Sequence, residues 1–75
     1  MSTVSDVDSA MFTDWLLRIE AEYREMPGLQ LTERQMQRLW TLDSWTCAVL
    51  VHVLVTRGVL RETRGRAYML AAASR

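Results

Sequence analysis

Apolar residues first recur at helical spacing from Phe12 onward. Phe12, Trp15, Leu16, Ile19, Tyr23 and Met26 fall on one face of a predicted first helix. Its other face carries Asp14–Arg18 and Glu20–Arg24, acid four residues before base, the order that supports a helix. Pro27 ends that helix, because the residue before a proline is pushed out of the α region, and Gly28 turns the chain. A second helix then starts legibly. Thr32 is placed to cap it, Gln35 completes a capping box, and Leu31 with Met36 form a hydrophobic staple. Met36, Leu39 and Trp40 make its short buried face.

After a tight turn through Thr41 and Leu42, Asp43 caps a third helix, which Gly58 stops just after Arg57. At about 100° per residue, Cys47, Leu50, Val51 and Leu54 point together into the core. The opposite face carries Trp45, Ala48, Val49, His52, Val53 and Thr56, so no charged side chain lies between Asp43 and Arg57 except what His52 contributes. Val59 to Thr63 is β-prone, Arg64-Gly65 supplies a turn, and Arg66 to Leu70 returns as a second strand. The predicted organisation is a flexible arm over 1–8, one domain over 9–70, and a C-terminal tail over 71–75. The predicted fold class is mainly α with a small β-hairpin.

That order of elements, carried by LTERQMQRLWTLDSWTCAVLVHVLVTRGVLRETRGRAYML from Leu31 to Leu70, resembles a three-helix winged helix-turn-helix. The chain also resembles short uncharacterised bacterial proteins with the pattern MPGL.LT..Q..RL..LD..TC...L..LV..G.L..T, and the likeness covers about residues 12–70. The resemblance implies a recognition helix over Asp43 to Arg57 and a wing over Arg61 to Ala67. It also implies that helix three enters the DNA major groove while the wing touches the backbone or the minor groove. The third helix departs from that pattern, since its outer face offers Thr, His and an indole N–H but no bidentate reader of base edges.

Composition and charge adjust this picture. A 75-residue chain with 49% hydrophobic residues and three Trp has the profile of one small folded domain. Its net charge is zero, yet residues 1–30 hold six acids and two Arg, and residues 31–75 hold three acids and seven Arg. The halves are therefore −4 and +4, which leaves room for an anionic partner on the C-terminal half and disfavours strong non-specific nucleic-acid affinity overall. The single Cys rules out an intramolecular disulfide. The apolar stretch from Ala48 to Val55 is interrupted by His52 and is too short to span a bilayer, and the first residues are polar and acidic. A cytoplasmic protein without membrane attachment is the expectation.

Candidate chemistry is sparse. Arg34 and Arg38 on helix two, Arg57 after helix three, and Arg61, Arg64 and Arg66 around the hairpin are candidates for gripping DNA phosphates. The plain alternative is a solvated charged surface with some Arg paired to Glu33 or Glu62. The uncharged strip of Trp45, Ala48, Val49, His52, Val53 and Thr56 is the candidate interaction face, with Trp45 as anchor. Its alternative is a shifted helical phase that puts part of the strip in the core. His52 stands alone and reads as a polar rim residue rather than a metal ligand, and Cys47 reads as a small buried hydrophobe. No nucleophile–base pair or glycine-rich phosphate loop is present in the sequence, so neither an enzyme nor a cofactor or small-molecule substrate is expected. Two functions are expected to compete. One is a DNA-binding transcriptional regulator. The other is a protein-interaction module, whether adaptor, inhibitor or homodimer, that uses helix three.

Overall fold

The computed structural model describes residues 2–71, which form three helices and three short strands. Helix α1 spans Ser2–Glu25, and its inner face buries Leu16, Ile19 and Tyr23. Residues 2–8 thus continue the helix where the sequence suggests an arm. They contain no proline or glycine, and a helix held by its packed half extends at one hydrogen bond per added residue. The helix stops at Glu25, so Met26 leaves the spiral and lies exposed rather than on the apolar face. Of the two expected ion pairs, Glu20–Arg24 forms, with Arg24 Nε 3.0 Å from the carboxylate. Asp14–Arg18 does not, because the Arg18 guanidinium carbon lies 4.9 Å from the Trp15 ring centroid instead.

A two-residue strand, β1 (Leu31–Thr32), precedes α2 (Glu33–Trp40). The capping box is formed in both directions. Gln35 N–H donates to Thr32 Oγ1 at 3.1 Å, and Thr32 N–H donates to Gln35 Oε1 at 2.8 Å. Met36 is buried and Trp40 packs against the core, whereas Leu39 is 58% exposed, a correction to the expected buried face. A helix of eight residues has barely two turns, and Leu39 lies on the turn's outer side. Thr41 closes it in the left-handed region, φ 53°, while Leu42 N–H bonds the Gln37 carbonyl at 2.9 Å. A β-branched residue is strained there. Thr41→Gly should therefore stabilise the chain by roughly 0.5–1 kcal/mol, read as a higher urea midpoint with unchanged slope. A lower midpoint would mean the threonine side chain contributes more than its backbone strain removes.

Helix α3 spans Ser44–Thr56, capped by Asp43, whose Oδ2 accepts the Thr46 N–H at 3.2 Å. Hydrogen bonds from Thr46 hold the Asp43 carboxyl below the usual carboxylate value. Gly58, at φ 81°, takes the left-handed stop predicted for it, and Val59 N–H returns to the Leu54 carbonyl. Strands β2 (Leu60–Glu62) and β3 (Ala67–Leu70) then form an antiparallel hairpin. Here the structure departs from expectation twice. Arg66 belongs to the turn rather than the strand, at φ 63° with its N–H on the Thr63 carbonyl. The sheet also has a third member, since β1 pairs with β3 and the strand order is β1-β3-β2.

The core is one cluster. Leu16, Ile19 and Tyr23 of α1 meet Met36 of α2, Cys47, Leu50, Val51 and Leu54 of α3, and Leu60 of β2. The buried Tyr23 hydroxyl donates to the Tyr68 carbonyl at 2.8 Å, tying α1 to the central strand. Beyond β3, Ala71 N–H bonds the Val59 carbonyl, and the rest of the expected tail lies outside the described residues.

Candidate functional site

Alternation around α3 divides its side chains as the sequence predicts on the inner face. Cys47, Leu50, Val51 and Leu54 are all buried. Outward, Trp45 is 76% exposed, and Ala48, His52 and Thr56 are open to solvent. Two members of the expected strip are corrected. Val49 is half-buried, and Val53 turns toward the core cluster. Val55, which lies outside the expected strip, is exposed instead. Val53 and Val55 both lie on the flanks of the helix, roughly a quarter turn from its outward direction, so packing alone decides which is covered. The exposed face therefore runs from Trp45 through Ala48 and His52 to Val55 and Thr56.

Beside this face α3 meets the sheet in a shallow cleft. Ala48, Val51, His52 and Val55 line it from the helix, and Glu33, Glu62 and Tyr68 from the other side. Burial, then the Glu62 and Glu33 carboxylates, hold the Tyr68 phenol above its ordinary value. Both carboxylates thus converge on one side chain. Neither stands out as a site residue in sequence, because Glu33 reads as a first-turn helix residue and Glu62 as a strand charge. Only the β1–β3–β2 register, which sets Leu31 and Glu62 on either side of Tyr68, brings them together.

The six candidate arginines are all exposed. Arg34 and Arg66 line a depression with Thr32, Glu33, Glu62 and Tyr68, so there two guanidiniums stand beside two carboxylates. Arg38 lies one turn along α2 from Arg34, Arg57 caps α3, Arg61 sits on β2, and Arg64 is at the hairpin turn. None of the six makes an ion pair among the described residues.

Cys47 is buried, with its thiol 3.6 Å from the Glu33 carbonyl. Burial, with the Glu33 and Asp43 carboxylates adding to it, pushes the thiol up to about 11, so it stays protonated near neutral pH. Among the described residues no cluster of His, Cys, Asp and Glu has the makings of a metal site. Among the described residues no single helix is long and apolar enough to cross a membrane.

A second apolar feature lies at the other end of α3. Met11, Phe12 and Trp15 of α1 and Leu42 of the α2–α3 turn line a groove whose rim includes Asp43 and Thr46. Met11 is 58% exposed at its mouth. Sequence periodicity assigns Phe12 and Trp15 to the core and leaves Met11 out. The signal for the groove is Met11 itself, an apolar residue adjacent to the predicted stripe. No protein-family model, curated protein or solved structure matches this chain.

Proposed function

We propose that this chain is a small docking module of winged-helix type that binds a protein surface through the outer face of α3. The observation that carries this reading is the character of that face. Between Asp43 and Arg57 it presents an exposed indole, apolar side chains, Thr56 and His52, and the groups bordering it across the cleft are the Glu33 and Glu62 carboxylates. Base edges call for bidentate polar side chains, and phosphates call for cations. A helix with neither, flanked by two acids that Arg34 and Arg66 only balance, offers a duplex no net attraction where a recognition helix would have to enter it. The same features suit a protein interface, whose core is depleted of charge and anchored by aromatic residues. The experiment is fluorescence anisotropy of labelled random duplex DNA titrated with the chain at low and moderate salt. The expected result is no salt-sensitive binding. Clear low-salt binding that weakens steeply with added salt would overturn the protein-docking assignment.

One observation favours a second reading, in which the chain is a DNA-binding regulator that grips the backbone through its hairpin. Arg66 occupies a left-handed turn position that glycine takes more easily, so a cationic side chain is held there at some cost in stability. Arg66→Gly separates the readings. It should raise stability by roughly 0.5–1 kcal/mol either way. Under the DNA reading, it should also lower affinity across all sequences and flatten the salt slope by about one unit. An unchanged slope would leave the arginine without a role at phosphates.

A further inference from the structure

We propose that the protein surface this module docks on is a second copy of itself, joined about a two-fold axis. In that dimer Trp45 of each copy seats in the partner's groove between α1 and the α2–α3 turn. The inference rests on the docking reading and names the partner. Trp45 stands in the first turn of α3, between Asp43 and Thr46, which both belong to the groove's rim. One end of the molecule therefore carries a projecting aromatic and an apolar recess side by side. Trp45 does not line its own groove, because α3 holds it on the outer face. A projection beside a recess is the arrangement that a two-fold interface requires, since each patch must be its own complement.

The slot suits an indole. Phe12, Trp15 and Leu42 supply an apolar wall, and Met11 at the mouth is unbranched and adaptable in shape. Filling it would cover both the most exposed aromatic side chain and an exposed methionine in one contact.

The charges around the groove point to the same occupant. Asp14 and Arg18 lie beside Met11 and Trp15, and Asp43 lies on the rim. Arg18 rests on the Trp15 ring and makes no ion pair with Asp14. Among the described residues each copy thus offers on the same patch one cation and two carboxylates that lack an ion-pair partner, Asp43 being held only by the Thr46 N–H. In the proposed dimer the two-fold axis is placed so that Arg18 of each copy meets the acidic rim of the other. With a net charge of zero, the chain also has no long-range repulsion to oppose self-association.

The test is sedimentation equilibrium of the whole chain from micromolar to near-millimolar concentration. The mass is expected to rise from 8.7 kDa toward twice that value. Trp45→Ala and, independently, Met11→Arg should hold it at the single-chain mass with unchanged far-ultraviolet dichroism, since both side chains are largely exposed. Arg18→Glu should weaken association about tenfold, the effect of losing two symmetry-related rim contacts of modest strength. Mixing Met11→Cys chains with Trp45→Cys chains under mild oxidation should give the mixed disulfide in preference to either symmetric one. A single-chain mass at every concentration overturns the proposal, as does a dimer indifferent to both Trp45→Ala and Met11→Arg, or one that cross-links Trp45→Cys to itself. A monomer that also ignores DNA would remove the second copy and leave docking on a different protein intact. Steep salt-dependent DNA binding would instead remove the docking reading itself.

Discussion

Leu50→Ala should bring the folded chain close to the edge of stability. Leu50 is wholly buried at the middle of α3, within the one cluster that joins all three helices to β2. Truncating a buried leucine to alanine costs about 2–5 kcal/mol, from lost transfer energy and the cavity left behind. The total stability of a 75-residue domain is roughly 4–11 kcal/mol by per-residue scaling, and small size places it toward the lower end. One substitution therefore removes a large fraction of it. Urea unfolding followed by Trp fluorescence should show the midpoint falling by about half or more. Leu39→Ala is the control, because Leu39 is mostly exposed and its loss should change stability by no more than about 0.5 kcal/mol. Equal effects of the two substitutions would mean that α3 does not pack as described.

The second large effect is alkaline. Burial raises the Cys47 thiol to about 11 from an ordinary 9.0, and it raises the Tyr23 phenol well above its ordinary 10.0. Both groups are neutral when protonated, so the folded chain keeps its protons where the unfolded chain releases them. Stability is therefore fully present below pH 9, falls as pH rises toward 11, and falls further as Tyr23 joins from pH 10 upward. A tenfold change in proton affinity is worth about 1.4 kcal/mol, so Cys47 alone removes roughly 3 kcal/mol by the end of its window. Urea midpoints measured at pH 7, 9 and about 10.5 should decline only over the last interval. Cys47→Ala should flatten the first part of that decline, whatever it does to stability at pH 7. A midpoint that held steady past pH 10.5 would show that neither group is as enclosed as the packing indicates.

Much of the fold is legible in the sequence, for identifiable reasons. The capping box at Thr32 and Gln35, the cap at Asp43 and the left-handed stop at Gly58 are local chemistry, which needs no tertiary context. The inner face of helix α3 can be phased because four buried residues, Cys47 to Leu54, fix one direction across nearly two turns. Its flanks are not legible, since Val53 and Val55 are equivalent in spacing and differ only in what covers them. Strand β1 has two residues, too few to show any period, and exists because β3 offers it a partner. Arg66 reads as a strand residue because Gly65 stands next to it as the obvious turn residue, yet the left-handed conformation falls one residue later. The meeting of Glu33 and Glu62 at Tyr68 joins residues distant in sequence through the sheet register, a relation that spacing along the chain does not encode.

The order β1-β3-β2 sets the last described strand in the middle of the sheet. During translation, neither ladder can close until Ala67 to Leu70 have cleared the ribosome. Tyr23, made early, must wait for the Tyr68 carbonyl 45 residues later to accept its hydroxyl. Nascent chains shorter than that hold helices without a sheet to lean on, and they leave the same apolar surfaces open to chaperones or to neighbouring chains. Folding should therefore come as one late event rather than helix by helix. A premature stop between Gly58 and Tyr68 would leave a fragment fit for degradation rather than a smaller working domain.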